Sequence, residues 1–204
     1  VVHNLGKARA LKMAFWHANL EGTPGCYVEF GVATGNSLRA AEVAERTAFS
    51  PSLGVPHIRR RLHGFDTFKS FASASPDDAH PVWSGERFNI PMERVEKRFR
   101  SDLGDRVQLH QVNASELPAA VAPPDLGIEE CAIVLLDMDL SQPTLAALDW
   151  LEPTFTEGTL VLLDEYCGFG GSPTAGEAGA FNAFLSAHRQ WGATLFTTYG
   201  DGGR

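Results

Sequence analysis

The sequence predicts a doubly wound α/β fold, a mostly parallel sheet with helices on both faces, and three observations support it. Short β-prone runs alternate with helical runs along nearly the whole chain, the pattern of right-handed crossovers between parallel strands. The run at 131–137 is apolar almost throughout, as strands covered on both faces are. No internal repeat is visible, and 204 residues suit one domain at roughly 150 residues per domain. Residues 1–204 therefore read as a single domain, opened by a helical segment at 1–24.

Within residues 10–20, Leu11, Ala14, Phe15 and Ala18 recur at helical spacing, and a β-prone run follows at 26–30. Glycines at 31 and 35 close that strand, and 38–48, rich in Ala and Glu, reads as the next helix. A strand is expected at 62–65, a helix at 92–103 and a strand at 107–112. After the strand at 131–137, a helix starts near Pro143, proline suiting a first helical turn, and buries Leu145, Leu148 and Leu151. A strand at 158–163 comes next. Thr174 and Glu177 fit the capping box Thr-x-x-Glu, and Phe181, Phe184, Leu185 and His188 continue as a core-facing stripe. A final strand is expected at 193–199. The one long irregular stretch, 70–90, holds two prolines, His80 and Trp83 and reads as a lid-like loop.

Apolar residues make up 44% of the chain and charged residues 21%, which excludes disorder, collagen and coiled coil. With 17 basic and 25 acidic residues the net charge is −8, a poor match to a phosphate backbone, so no nucleic-acid partner is expected. The run Arg59, Arg60 and Arg61 reads as a solvated strand entry. Cys26, Cys131 and Cys167 are too few and too far apart for a disulfide framework or a Cys-x-x-Cys clip. A reducing compartment, the cytoplasm, is the expectation. No apolar stretch reaches the roughly 18 residues of a membrane span, and the first twenty residues lack a signal peptide's apolar block.

In open α/β sheets ligands sit beyond the carboxyl ends of the strands. The first such end runs Val28-Glu29-Phe30-Gly31-Val32-Ala33-Thr34-Gly35-Asn36-Ser37, where glycines let backbone approach a ligand and the following helix offers free amides. A dinucleotide fingerprint fails here because Ala33 and Asn36 interrupt the glycine spacing and the next strand-end carboxylate, Asp66, lies too far on. NAD is therefore disfavoured. Asp66 can accept hydrogen bonds from two ribose hydroxyls, or can simply form a turn. Two further ends, Leu135-Leu136-Asp137-Met138-Asp139 and Leu162-Leu163-Asp164-Glu165-Tyr166, gather carboxylates that repel unless a cation or proton intervenes. Such oxygen ligands suit Mg²⁺. Asp139 is assigned the lesser role of capping the helix near Pro143, and His63 a structural one.

These segments, with the block Asp137-Met138-Asp139-Leu140-Ser141-Gln142-Pro143-Thr144, resemble class I S-adenosylmethionine-dependent methyltransferases, most nearly the macrocin O-methyltransferase family. The likeness runs from about residue 26 to 184. It implies a Rossmann-like methyltransferase fold that normally ends in an antiparallel strand pair. This sequence stops at Arg204, shortly after the first expected member, so the final antiparallel strand is expected either beyond these residues or supplied differently. It implies that Glu29, Gly31, Gly35 and Ser37 hold the methionine part of S-adenosylmethionine and Asp66 the ribose, with Asn113, Ala114 and Ser115 near the adenine. It also implies that Asp137, Asp164 and Glu165 bind Mg²⁺, with Asp137 as the catalytic residue beside the reacting hydroxyl. The chain departs from the family at Ser141, usually Tyr, at Glu165, often Asp, and at Lys69-Ser70-Phe71-Ala72, usually Glu-Gly-Leu-Pro.

The implied activity is methyl transfer to a hydroxyl of a small molecule, a sugar, polyketide or other natural product, by a chain compatible with homo-oligomers. Methyl transfer from a sulfonium is an in-line displacement, so alignment and activation of the acceptor oxygen are the protein's tasks. The rival readings are a metal-independent methyltransferase and a cofactor-binding protein without turnover.

Overall fold

The computed structural model describes residues 2–69, 89–99, 106–117, 121–200 and 203, with side chains from residue 5 onward. Helix α1 (Val2–Leu20) turns Leu11, Ala14, Phe15 and Ala18 into the core. Strand β1 (Cys26–Phe30) is buried at every position. After α2 (Asn36–Thr47) come β2 (Leu62–Asp66), α3 (Met92–Glu96) and β3 (Val107–Gln111). The second half holds β4 (Cys131–Leu136), α4 (Ser141–Leu151), β5 (Phe155–Leu163), a single turn α5 (Gly168–Gly171) and α6 (Gly176–Ala187).

The five strands lie in the order β3-β2-β1-β4-β5 and every pairing is parallel. In the centre Val28 pairs with His63 on one side and Val134 on the other. Because side chains alternate along a strand, the sheet divides the core into two halves. Tyr27, Leu62, Ile133 and Leu135 share a cluster with Phe15 of α1, Leu38 of α2 and Val95 of α3. Val28, Phe30, Phe65, Val134 and Leu136 share the other with Leu148 of α4 and Phe184 of α6. Each large side chain buried this way contributes about 2 kcal/mol. The expected doubly wound sheet, covered on both faces, is therefore present.

Several local expectations are corrected. β5 begins at Phe155 rather than 158, because a register shift around Gly158, with φ +90°, lets Cys131 pair with Phe155 and Ile133 with Leu160. α3 ends at Glu96 and turns through Phe99, and residues 100–103 of the longer helix expected there lie outside the described residues. α4 starts at Ser141, so Pro143 is its third residue, and its N-cap is Leu140 rather than Asp139, whose φ is +66°. α6 starts at Gly176 after Ala175, without the Thr174 capping box, because the Glu177 carboxylate turns elsewhere. The run at 193–199 forms no strand: Leu195 and Phe196 stay exposed, and Tyr199 makes one antiparallel bridge to Gly203.

Arg60 is not solvated. Its guanidinium is buried and donates to the carbonyls of Gly25 (2.7 Å) and Thr23 (2.8 Å), tying the end of α1 to the start of β1. The lid-like loop expected at 70–90, with His80 and Trp83, lies outside the described residues from 70 to 88. Among the described residues no helix is long and apolar enough to cross a membrane.

Candidate active site

β1 lies between β2 and β4, whose connections leave in opposite directions, so a crevice opens beyond its carboxyl end. The Gly31 amide donates to the Phe65 carbonyl (2.9 Å) and the Asp137 amide to the Phe30 carbonyl (3.0 Å), which brings the ends of β2, β1 and β4 together. Only glycine fits at 31: its φ is +90°, and a Cβ there would lie 1.9 Å from the Asp137 carbonyl oxygen. Gly35, with φ +76°, stands at the N-cap of α2, and a Cβ there would press on Val95 and Phe99.

Behind this turn Glu29 is fully buried, accepting from the hydroxyls of Ser37 (2.5 Å) and Tyr27 (2.6 Å). Burial pushes its carboxyl up to about 7, against the opposing hydrogen bonds from Ser37 and Tyr27. Asp66 holds the turn from β2. One carboxylate oxygen accepts from the Ala33 amide and the other from the Phe68 amide, each at 2.7 Å. Both donors have positive φ, 45° and 53°, a conformation costing of order 1–3 kcal/mol for a non-glycine residue. Burial raises the Asp66 carboxyl above its ordinary value and these amides oppose the rise. Past β3, the Asn113 side chain accepts from the Ser115 amide (3.1 Å) and caps a short turn that contains Ala114.

A cavity of about 330 Å³ occupies the crevice, and Gly31, Asp66, Asn113, Ala114, Asp137 and Asp164 are among its walls, as is Glu165. Glu29 and Ser37 sit behind the turn, bonded to each other, rather than at the wall. Gly35 and Ser115 likewise act through backbone packing and capping.

The ends of β4 and β5 converge as their sequences imply, and two residues outside the expected set organise them. Lys7 of α1 sits between the carboxylates, its ammonium 2.7 Å from Asp137 Oδ2 and 2.6 Å from Asp164 Oδ2. Burial works against the charge on Lys7, but the two carboxylates outweigh it and hold the ammonium above the ordinary lysine value. Burial and the nearby Asp164 push Asp137 well above the usual carboxylate range, with Lys7 opposing. Glu177 of α6, also buried, accepts from the amides of Met138 (3.2 Å) and Asp139 (3.3 Å) through one oxygen and of Glu165 (2.9 Å) through the other. It thereby ties the β4 and β5 ends together.

The oxygen donors expected for Mg²⁺ are of the right kind, but the gap between Asp137 and Asp164 already holds an ammonium. Among the described residues no group of three or more His, Cys, Asp or Glu side chains is arranged to hold a metal ion. As folded, the site does not fit a divalent ion without movement of Lys7.

Residues 4–181 match the family described as Macrocin-O-methyltransferase (TylF). A comparison with curated proteins finds no match. Among solved structures, the calicheamicin methyltransferase CalS11 superposes with a TM-score of 0.67 at 24% identity, over 89% of this chain and 71% of that one. The O-methyltransferase NovP gives 0.71 at 20% identity, over 96% and 76%. An apo structure of CalS11, described as a TDP-rhamnose 3'-O-methyltransferase, gives 0.56 at 26% identity, over 87% and 68%. The first two likenesses establish a shared fold.

Proposed function

The chain belongs to the macrocin O-methyltransferase family of S-adenosylmethionine-dependent methyltransferases, and on that premise we propose that it methylates a hydroxyl of a small natural-product acceptor, a sugar hydroxyl first among them. The observation that carries the reading is the single cavity lined at once by the Gly31 turn with Asp66 and by the acidic ends of β4 and β5. Donor and acceptor halves of a transfer reaction need that adjacency.

In this reading Gly31 lets the backbone approach the methionine part of the donor, while Glu29 and Ser37 brace the turn from behind. Asp66 takes the ribose hydroxyls: its two oxygens carry about four acceptor positions, of which the amides of Ala33 and Phe68 use two and the Thr67 hydroxyl, at 3.5 Å, a third that a ribose hydroxyl would share or displace. Asn113, Ala114 and Ser115 flank the adenine. The acceptor oxygen forms the new C–O bond as the C–S bond breaks and its electrons return to sulfur. Asp137 receives the hydroxyl proton, a task suited to a carboxyl held above its usual range. The net charge of −8 favours a small molecule over a nucleic acid as acceptor. Cys26 and Cys131 lie side by side on β1 and β4 yet stay free thiols, which fits a reducing compartment such as the cytoplasm.

A second reading keeps Mg²⁺ at Asp137, Asp164 and Glu165, favoured by the convergence of these acidic strand ends. It requires Lys7 to leave its gap, and activity in excess chelator separates the two.

The test of the donor site is calorimetric titration with S-adenosylhomocysteine. Asp66→Ala is expected to weaken binding by about 10- to 100-fold, the scale of lost charge-assisted hydrogen bonds. Unchanged affinity sinks the ribose assignment. Transfer of labelled methyl to a panel of deoxysugar nucleotides and glycosides then tests the acceptor class, and transfer to none of them defeats it.

A further inference from the structure

We propose that the Lys7 ammonium is a tethered cation that takes the place of a divalent ion between Asp137 and Asp164, so that ammonium and ion exclude one another. What the charge serves rests on the methyl-transfer reading, whereas the exclusion itself is a binding property and can be tested apart from it.

The geometry is that of a filled ion position. One nitrogen lies within 2.7 Å of an oxygen from each of two strand ends, and the side chains of Lys7 and Asp164 are only 8% and 2% exposed. Mg²⁺ binds oxygen at about 2.0–2.1 Å, so an ion on the same two oxygens would meet a like charge at contact distance. Asp164 is buried and Asp137 half-buried at 22% exposure. Two adjacent carboxylates so placed need a compensating charge, and here the chain supplies it from a residue 130 positions before Asp137.

The lysine is also built in rather than incidental. It lies four residues before Leu11 on the stripe that α1 turns inward, and that stripe is anchored by Leu11, Ala14 and Phe15. Its neighbour Gly6 packs against the Gly200 backbone so closely that a Cβ would lie 2.5 Å from the Gly200 nitrogen. The helix turn that carries Lys7 is thus pressed into place. An ammonium has three N–H donors, and the two carboxylates engage two. Lys7 also lines the cavity, where its ammonium would stabilise negative charge on an entering acceptor oxygen as a bound ion does.

The experiment measures Mn²⁺ binding by electron paramagnetic resonance to the whole chain and to Lys7→Met, with S-adenosylhomocysteine affinity recorded in parallel. Lys7→Met is expected to bind Mn²⁺ at least about tenfold more tightly than wild type, and Lys7→Met with Asp164→Asn to lose that gain. Equal affinity of wild type and Lys7→Met, or no binding by either, overturns the proposal. Should Lys7→Met not fold, amine labelling of wild type replaces it. Lys7 is expected to resist reductive methylation without Mn²⁺, and to become reactive in the Mn²⁺ complex if one forms. Mn²⁺ bound while Lys7 stays protected, or Lys7 labelled freely without the metal, overturns the idea equally. Failure of S-adenosylhomocysteine to bind would instead count against the methyltransferase reading and leave the metal result standing.

Discussion

The Glu177 carboxylate accepts a hydrogen bond from the Glu165 amide at 2.9 Å, so two acidic residues are joined through a backbone N–H rather than driven apart. The other Glu177 oxygen takes the amides of Met138 and Asp139, and one side chain therefore sets the spacing of the β4 and β5 ends. Glu177→Gln replaces one acceptor oxygen with an NH₂ that faces an N–H. A stability loss of about 1–3 kcal/mol is expected, read as a fall in Tm. S-adenosylhomocysteine affinity should change little, because Gly31 and Asp66 are untouched, while methyl transfer drops. An unchanged Tm would contradict the tie.

Gly31 and Gly54 form a matched pair for separating backbone strain from collision. Both have positive φ, +90° and +74°, but a Cβ at 31 lands 1.9 Å from the Asp137 carbonyl and a Cβ at 54 meets nothing within 4 Å. Gly54→Ala is expected to cost about 1 kcal/mol from conformation alone. Gly31→Ala should cost at least about 3 kcal/mol, because overpacking adds to that strain, and should abolish S-adenosylhomocysteine binding. Urea unfolding of the two variants decides it, and equal costs would show that the β1–β4 approach is not what demands glycine.

Two buried groups make stability respond to pH in opposite senses. Burial raises Glu29 to about 7 from 4.5, so the folded state holds its proton longer and stability falls as pH rises from about 4.5 to 7. Burial lowers His63 to about 4 from 6.5, with His110 adding to the effect, so its contribution is lost as pH falls from about 6.5 to 4. Burial also raises Asp66, Asp137 and Glu177, so each contribution is read as a difference from the native chain. Relative to the native chain, the stability of Glu29→Gln should rise with pH across this window and that of His63→Phe should fall, each by an amount on the order of 3 kcal/mol. Thermal unfolding between pH 4 and 8 reads both, and parallel profiles for the two variants would refute the assignment.

The strands and the helices flanking the sheet were legible because apolar period and glycine punctuation act locally. The same holds for Asp66, Asp137 and Asp164, which stand at strand ends that the alternation locates. Local pattern alone does not mark Lys7 and Glu177 as site residues, although each leaves a signal. Lys7 precedes Leu11, Ala14 and Ala18 on one helical stripe, and Glu177 precedes Phe181, Phe184 and His188 on another. A charge at the head of a buried stripe marks a polar partner across the fold, and here both partners are the acidic loops. Locally Glu177 fits a capping box with Thr174, a motif that loses to three backbone amides from other elements. The expected strand at 193–199 failed because period alone cannot supply a pairing partner, and Leu195 and Phe196 remain at the surface.

The strand order carries a cost during synthesis. β1 ends at Phe30 and finds β2 some thirty residues later, but its other edge is completed only by β4, at Cys131–Leu136. At about 5–20 residues per second of translation, the nascent chain exposes that apolar edge for roughly 5 to 20 seconds. Unpaired edges of this composition template wrong pairings, so yield in a cell is expected to rise with chaperone cover during that interval. Slowing translation between codons 66 and 131 would lengthen the vulnerable period and lower the soluble fraction, with no change in the finished enzyme.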